Sequence, residues 1–175
     1  MRYVALLRGI NVGGNTMIKM TELKTSFENL GFKNVASYIN SGNLAFDGAK
    51  ASEEKLVAKI EKRIKQDFGL DIQVMVRDRA TIEDVLANNP FAGEFESHKE
   101  MHVLFMKGKM PDEKAEQLYE QQTKNERFAV RDREIYCHLR LGVADSLLGK
   151  GFIERKLKVA ITARNWRTVE RLASL

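Results

Sequence analysis

The sequence predicts an α/β protein of the α+β kind: a ferredoxin-like βαββαβ first half, then a similar βαββα second half closed by a C-terminal helix. Three observations carry this. Short apolar runs alternate with stretches whose apolar residues recur at spacings of three and four. Glycines and one Ser-Gly pair fall between the runs, where caps and turns need them. The run types over residues 1–78 follow the order strand, helix, strand, strand, helix, strand, the signature of a split βαβ unit.

Each element has its own signal. Tyr3 to Arg8 is a short apolar strand, followed by a polar, glycine-bearing loop from Gly9 to about Ile18. Met20, Leu23, Phe27 and Leu30 form a helical stripe, with Gly31 as the residue that ends it. Val35 to Asn40 and Leu44 to Phe46 are strands joined through Ser41-Gly42, a hairpin signal. Ser52 is placed to cap a helix whose first turn holds Glu53 and Glu54. Leu56, Ile60, Ile64 and Phe68 line that helix, Gly69 ends it, and Ile72 to Val76 is the fourth strand.

The second half repeats much of this order. A short helix over Ile82 to Ala87 stops at Asn88, Asn89 and Pro90. Met101 to Met106 is a strand, and Pro111 opens a helix followed by Asp112 and Glu113. Arg127 to Val130 and Glu134 to Leu139 form a hairpin. The pattern then predicts a helix over about Asp145 to Lys158, interrupted by Gly149 and Gly151. It also predicts a last helix capped by Thr162, with Trp166, Val169, Leu172 and Ala173 as its stripe. The domain reading is residues 1–78 and 79–175, two subdomains packed as one compact unit.

Composition bounds the class. A chain of 175 residues buries roughly 70% of its unfolded surface and needs no crosslinks. The lone Cys137 excludes an intrachain disulfide and fits a reducing compartment. The apolar run at the N-terminus is too short for an export signal, and no stretch approaches the ~20 apolar residues of a membrane span. The expectation is a cytoplasmic protein with no membrane association, a monomer or a homodimer. Residues 1–145 carry 22 Lys/Arg against 22 Asp/Glu, whereas residues 146–175 carry seven against two. The whole formal excess of +5 therefore sits in the C-terminal tail, where it can attract nucleic acid or phosphorylated small molecules.

Topology brings candidate site residues together. In a ferredoxin-like sheet the first and third strands are neighbours, so Arg8 to Asn15 lies beside Asn40 to Asn43. One rim thus collects Arg8, Asn11, Asn15, Asn40, Ser41 and Asn43 with Gly9, Gly13, Gly14 and Gly42. Glycines let backbone N–H groups approach an anion, a loop entering a helix N-terminus favours phosphate or carboxylate, and Arg8 adds a bidentate charge. The glycine spacing is neither the dinucleotide fingerprint nor a Walker loop, and the same residues also serve as ordinary turn formers. At the C-terminus, a helix over Ala163 to Ala173 would put Arg164, Arg167 and Arg171 on one face. Trp166 would be a stacking platform for a base or an apolar anchor. Arg164 and Asn165 would reach the rim if this helix docked there.

Catalytic and metal signatures are poor. His98 and His102 lack the adjacent glutamate and third ligand of a zinc site, so no metal and no cofactor are expected. Cys137 and His138, adjacent on a strand, point to opposite faces and make no dyad. Tyr3 and Phe46 are the only aromatic residues on the central strands of the first half, and both fit the core equally well.

The segments RGINVGGN, YINSGNLAF and TARNWRTVERLASL closely resemble the bacterial domain-of-unknown-function 1697 family. The family's signature positions fall on Arg8, Gly9, Asn11, Val12 and Gly13, on Ser41, Gly42 and Asn43, and on Thr162, Arg164, Asn165, Trp166 and Thr168. The resemblance implies a duplicated ferredoxin-like architecture and brings no activity with it. From the residues, the leading functional expectation is a binding module for a phosphate-bearing ligand, a nucleotide or single-stranded nucleic acid. It would use Arg8, Gly9, Asn11, Gly13, Asn43, Arg164, Asn165 and Arg167. The alternatives are an enzyme on a small anionic substrate at the same rim, with Asn43 as oxyanion donor, and a structural or protein-interaction role.

Overall fold

The structure, a computed structural model, describes residues 1–14 and 16–175. Asn15, one of the rim residues named above, lies outside the described residues. The chain divides into two compact units, Met1–Asp84 with Arg171–Leu175, and Val85–Glu170.

In the first unit, strand β1 (Arg2–Leu7), helix α1 (Met20–Asn29), strands β2 (Lys33–Tyr38) and β3 (Asn43–Asp47), helix α2 (Glu53–Phe68) and strand β4 (Val74–Asp78) follow one another. The strands form one antiparallel sheet in the order β2-β3-β1-β4, the ferredoxin-like arrangement. Alternation along β1 sends Tyr3, Ala5 and Leu7 to the helix side, where Phe27, Phe46, Leu56, Ile60 and Ile64 close the core. Tyr3 sits directly opposite Phe46, their rings stacked at 5.6 Å, and both are buried, so these two aromatics are core and offer no solvent-facing platform. The caps act as the residue types dictate. The Ser52 hydroxyl accepts the Lys55 N–H at 3.3 Å, and Gly69, at φ +69°, closes α2 by donating its N–H to the Lys65 carbonyl.

Helix α3 (Arg79–Ala87) starts earlier than its apolar stripe suggests, because the Asp78 carboxylate accepts the Thr81 N–H at 2.8 Å. Then come β5 (Met101–Met106), α4 (Asp112–Glu120), β6 (Glu126–Arg131), β7 (Glu134–Leu139), the one-turn α5 (Phe152–Arg155), β8 (Ile161–Asn165) and α6 (Trp166–Ser174). The second sheet has the order β6-β7-β5-β8, so both units have one topology. Leu104, Leu118, Ile135, Cys137, Leu139 and Ile153 share its helix-side core. Burial raises the Cys137 thiol pKa, which makes this cysteine a small apolar side chain rather than a nucleophile.

Two expectations change here. The helix over Asp145 to Lys158 is a single turn, Phe152–Arg155. Upstream, the Ser146 hydroxyl donates to the Val143 carbonyl at 2.6 Å and accepts the Gly149 N–H at 3.1 Å, a local turn that competes with the helix. A Cβ on Gly149 would meet the Val143 carbonyl oxygen at 2.2 Å, so the chain doubles back there as only glycine allows. The second change is at Thr162, which caps no helix: Ile161–Asn165 is a strand paired with β5, and it completes the second βαββαβ unit. No helix among the described residues is long and apolar enough to cross a membrane.

Candidate functional site

The end of β1 brings the predicted rim together. The Leu7 N–H donates to the Gly42 carbonyl and the Arg8 N–H to the Gln73 carbonyl, both at 2.9 Å. The chain then enters a left-handed loop: Gly9, Asn11, Gly13 and Gly14 have φ of +70°, +55°, +62° and +75°. Asparagine tolerates this conformation better than other side chains. Nothing lies within 4 Å of where a Cβ would stand on Gly9, Gly13 or Gly14, so the loop backbone is open on those sides.

The side chains of the rim divide into those that build it and those left at its surface. The Asn11 amide donates to the Ile18 carbonyl at 2.9 Å and to the Asn40 carbonyl at 2.7 Å, while its oxygen accepts the Ile18 N–H at 2.7 Å. Asn11 therefore closes the loop on itself and ties it to the β2–β3 turn. Asn43 is fully buried, and its amide donates to the Tyr38 carbonyl and the Ser41 hydroxyl, both at 3.0 Å. An oxyanion donor needs a free N–H aimed at the substrate; both amide hydrogens of Asn43 are already directed at protein oxygens that shape the turn. Arg8 is half-buried and Gly9 and Gly13 are exposed.

Beyond the loop, α1 starts without a side-chain cap. Lys19, in extended conformation (φ −69°, ψ 128°), precedes it and makes no capping hydrogen bond. The first turn of α1, whose N–H groups carry partial positive charge, helps line a cleft of about 640 Å³ together with Asn11, Ile18, Lys19 and Asn40 among others. Glu22 in the first turn answers part of that charge. Lys19 is the residue that the sequence reading missed. It sits one position before the apolar stripe, where a lysine looks like an ordinary flanking charge. Asn11 and Asn40 line the same cleft, and the fold brings them there.

Of the C-terminal candidates, Arg164, Asn165 and Arg167 belong to the second unit, and Arg171 is counted with the first. Arg164 is on β8, opposite Val103, and buried; its guanidinium donates to the Thr162 hydroxyl at 2.7 Å and the Ala163 carbonyl at 2.9 Å. Burial lowers its pKa to about 10, which leaves it charged at neutral pH. The predicted stripe of Arg164, Arg167 and Arg171 on one helix face is therefore absent: a strand residue cannot share a helix face, and of these three arginines Arg167 and Arg171 are the exposed ones, on α6. Asn165 takes the capping role expected of Thr162, its side-chain oxygen accepting the Thr168 N–H at 3.0 Å. Trp166, partly buried, packs edge-on against Phe95 at 6.0 Å. Replacing Asn165 by alanine is expected to cost about 1 kcal/mol, the usual worth of a cap, measured as a fall in urea midpoint with unchanged slope.

Comparison with known proteins follows the architecture. The structure of conserved bacterial protein SP0830 from Streptococcus pneumoniae is similar, with a TM-score of 0.78 and 26% identity over 99% of this chain and 97% of that one. A search of curated proteins finds no match. A family model described as "Protein of unknown function (DUF1697)" matches residues 1–136, which include the RGINVGG and NSGN segments; the TARNWRT segment lies beyond that range. With more than three quarters of its length matched, the chain belongs to the DUF1697 family of proteins of unknown function.

Proposed function

We propose that the chain is a binding module for a small phosphate-bearing ligand. The ligand is received by backbone N–H groups of the loop from Gly9 to Gly14 and of the first turn of α1, with Arg8 and Lys19 supplying positive charge. The observation that carries this reading is the uncapped α1 N-terminus, which follows the open, left-handed glycine loop and borders the cleft holding Lys19. Asn11 and Asn43 serve as positioning residues: they hold the loop and the turn in the shape that presents those N–H groups. A small ligand fits this geometry better than a nucleic-acid strand, because the last helix keeps two exposed arginines rather than a row of three.

The test is a thermal-shift series with inorganic phosphate, sugar phosphates and nucleotides, run on the full chain and on Lys19→Ala. A ligand at 100 times its dissociation constant adds about 2.7 kcal/mol, a shift of roughly 5–10 °C for a chain of this size. Lys19 is exposed, so Lys19→Ala is expected to melt with the parent when ligand is absent and to lose most of the shift when it is present. Equal shifts in both proteins, or none in either, would remove the site.

A further inference from the structure

The second unit holds a separate cleft of about 540 Å³ at one end of its sheet, where the 94–100 segment meets the start of β6 and the end of β7. Its lining contains charges of both signs. Glu94 and Arg127 pair with each other at 3.2 Å, and the Arg127 guanidinium also lies 4.8 Å over the Phe91 ring, so this pair forms a neutral wall. That leaves Glu96 and Glu100 as acids and Lys124 and Arg140 as bases. Among the described residues, neither the Lys124 nor the Arg140 side chain is in an ion pair.

His138 makes this cleft more than a patch of surface charge. It shares with Met101 and Arg127 the sheet face opposite Cys137. Its side chain is gripped by Phe91 and Phe95, with ring centroids at 5.8 and 6.4 Å, and it is only 3% exposed. It nevertheless forms part of the cleft lining, and neither ring nitrogen has a hydrogen-bond partner. The nearest carboxylate oxygen, Glu100 Oε2, is 3.7 Å away, too far for a hydrogen bond, and already accepts the Glu96 N–H at 3.1 Å. A buried imidazole always offers at least one donor, and leaving it unsatisfied is costly.

We propose that this cleft is a binding site for a small zwitterion of the amino-acid type. Its carboxylate is taken by Lys124 and Arg140, its ammonium by Glu96 and Glu100, and a polar atom of the ligand completes the hydrogen bonding of His138. The charge pattern selects this class. A plain anion meets Glu96 and Glu100, a plain cation meets Lys124 and Arg140, and only a molecule bearing both charges satisfies both sets. The site is independent of the loop in the first unit, and either reading can fail without the other.

The chain has three histidines, so ¹⁵N-histidine labelling of the full chain gives a spectrum in which His98, His102 and His138 are resolved. The probes are the free amino acids, each compared with its deaminated carboxylate and its decarboxylated amine. At least one amino acid is expected to move the His138 ring nitrogens saturably, with the single-charge analogues at least about tenfold weaker, as loss of one charge-assisted contact implies. Arg140→Ala, a change at an exposed position, is expected to weaken binding by a similar factor with an unchanged melting temperature. The proposal is overturned if no amino acid moves His138 at millimolar concentration, if a single-charge analogue binds as well, or if Arg140→Ala binds as tightly as the parent.

Discussion

Gly42→Ala is expected to lower the melting temperature by about 10 °C, from two costs that add. The backbone at Gly42 has φ +90°, where an L side chain is strained by about 1–2 kcal/mol. The new Cβ would also stand 2.8 Å from Leu7 Cβ and 3.0 Å from Ile10 Cδ1 and Cγ1. Leu7 and Ile10 are fully buried and cannot swing aside. Overpacking of this kind costs about 1–3 kcal/mol, so the sum is about 3 kcal/mol, and a chain of this length loses roughly 2–4 °C per kcal/mol. Gly13→Ala is the matched control. It has a similar φ, +62°, but nothing within 4 Å of its Cβ, so it bears only the conformational cost. Calorimetry on the two variants separates strain from crowding. Equal melting temperatures would mean that the β2–β3 turn does not pack against the end of β1 as described.

Acid is expected to destabilise the protein between pH 6.5 and about 4 through His102. Burial, and secondarily the charge of His98, lowers its pKa from 6.5 to about 4. Its Nδ1 is buried without a hydrogen-bond partner. As pH falls through 6.5 the unfolded chain takes up a proton at His102 while the native chain does not. The unfolded state is then favoured by about 1.4 kcal/mol per pH unit, to a total of about 3 kcal/mol near pH 4. Above pH 6.5 the group contributes no slope. Asp47, held low chiefly by its hydrogen bond from Asn34, and Asp67, held low chiefly by that from Ser26, add their own losses only below about pH 3.8. Urea unfolding at pH 7 and pH 5 measures the effect, and His102→Gln is expected to flatten the dependence. A parent protein as stable at pH 5 as at pH 7 would contradict the account of His102.

Most of the fold was legible because its signals are local. The stripe of Leu56, Ile60 and Ile64, the Ser52 cap and the left-handed Gly69 define α2 without help from elsewhere. Strand β8 was not legible, because Thr162 and Asn165 are both good capping residues three positions apart, and Trp166 to Leu172 is helical from either start. What decides is tertiary. Strand β5 has one edge that β7 does not cover, and Ile161 to Asn165 fills it, which moves the cap to Asn165. The convergence of the RGIN and NSGN segments followed from strand order alone. The work each side chain does there did not: Asn11 is spent on Ile18 and Asn40, and Asn43 on Tyr38 and Ser41. A sequence shows which polar groups meet, whereas geometry shows which have hydrogen bonds left to offer. The second cleft shows the same limit, since Glu100, Lys124 and His138 lie far apart along the chain and meet at one end of a sheet.

The most direct test of phosphate recognition by the glycine loop is a ¹H–¹⁵N titration of the full chain with inorganic phosphate, sugar phosphates and nucleotides. The expected result is saturable movement of the backbone amides of Gly9, Gly13, Gly14, Met20 and Thr21 with at least one of these ligands, lost in Lys19→Ala. Amides that stay fixed throughout the loop and the first turn of α1, or that move only in the C-terminal helix, would contradict it.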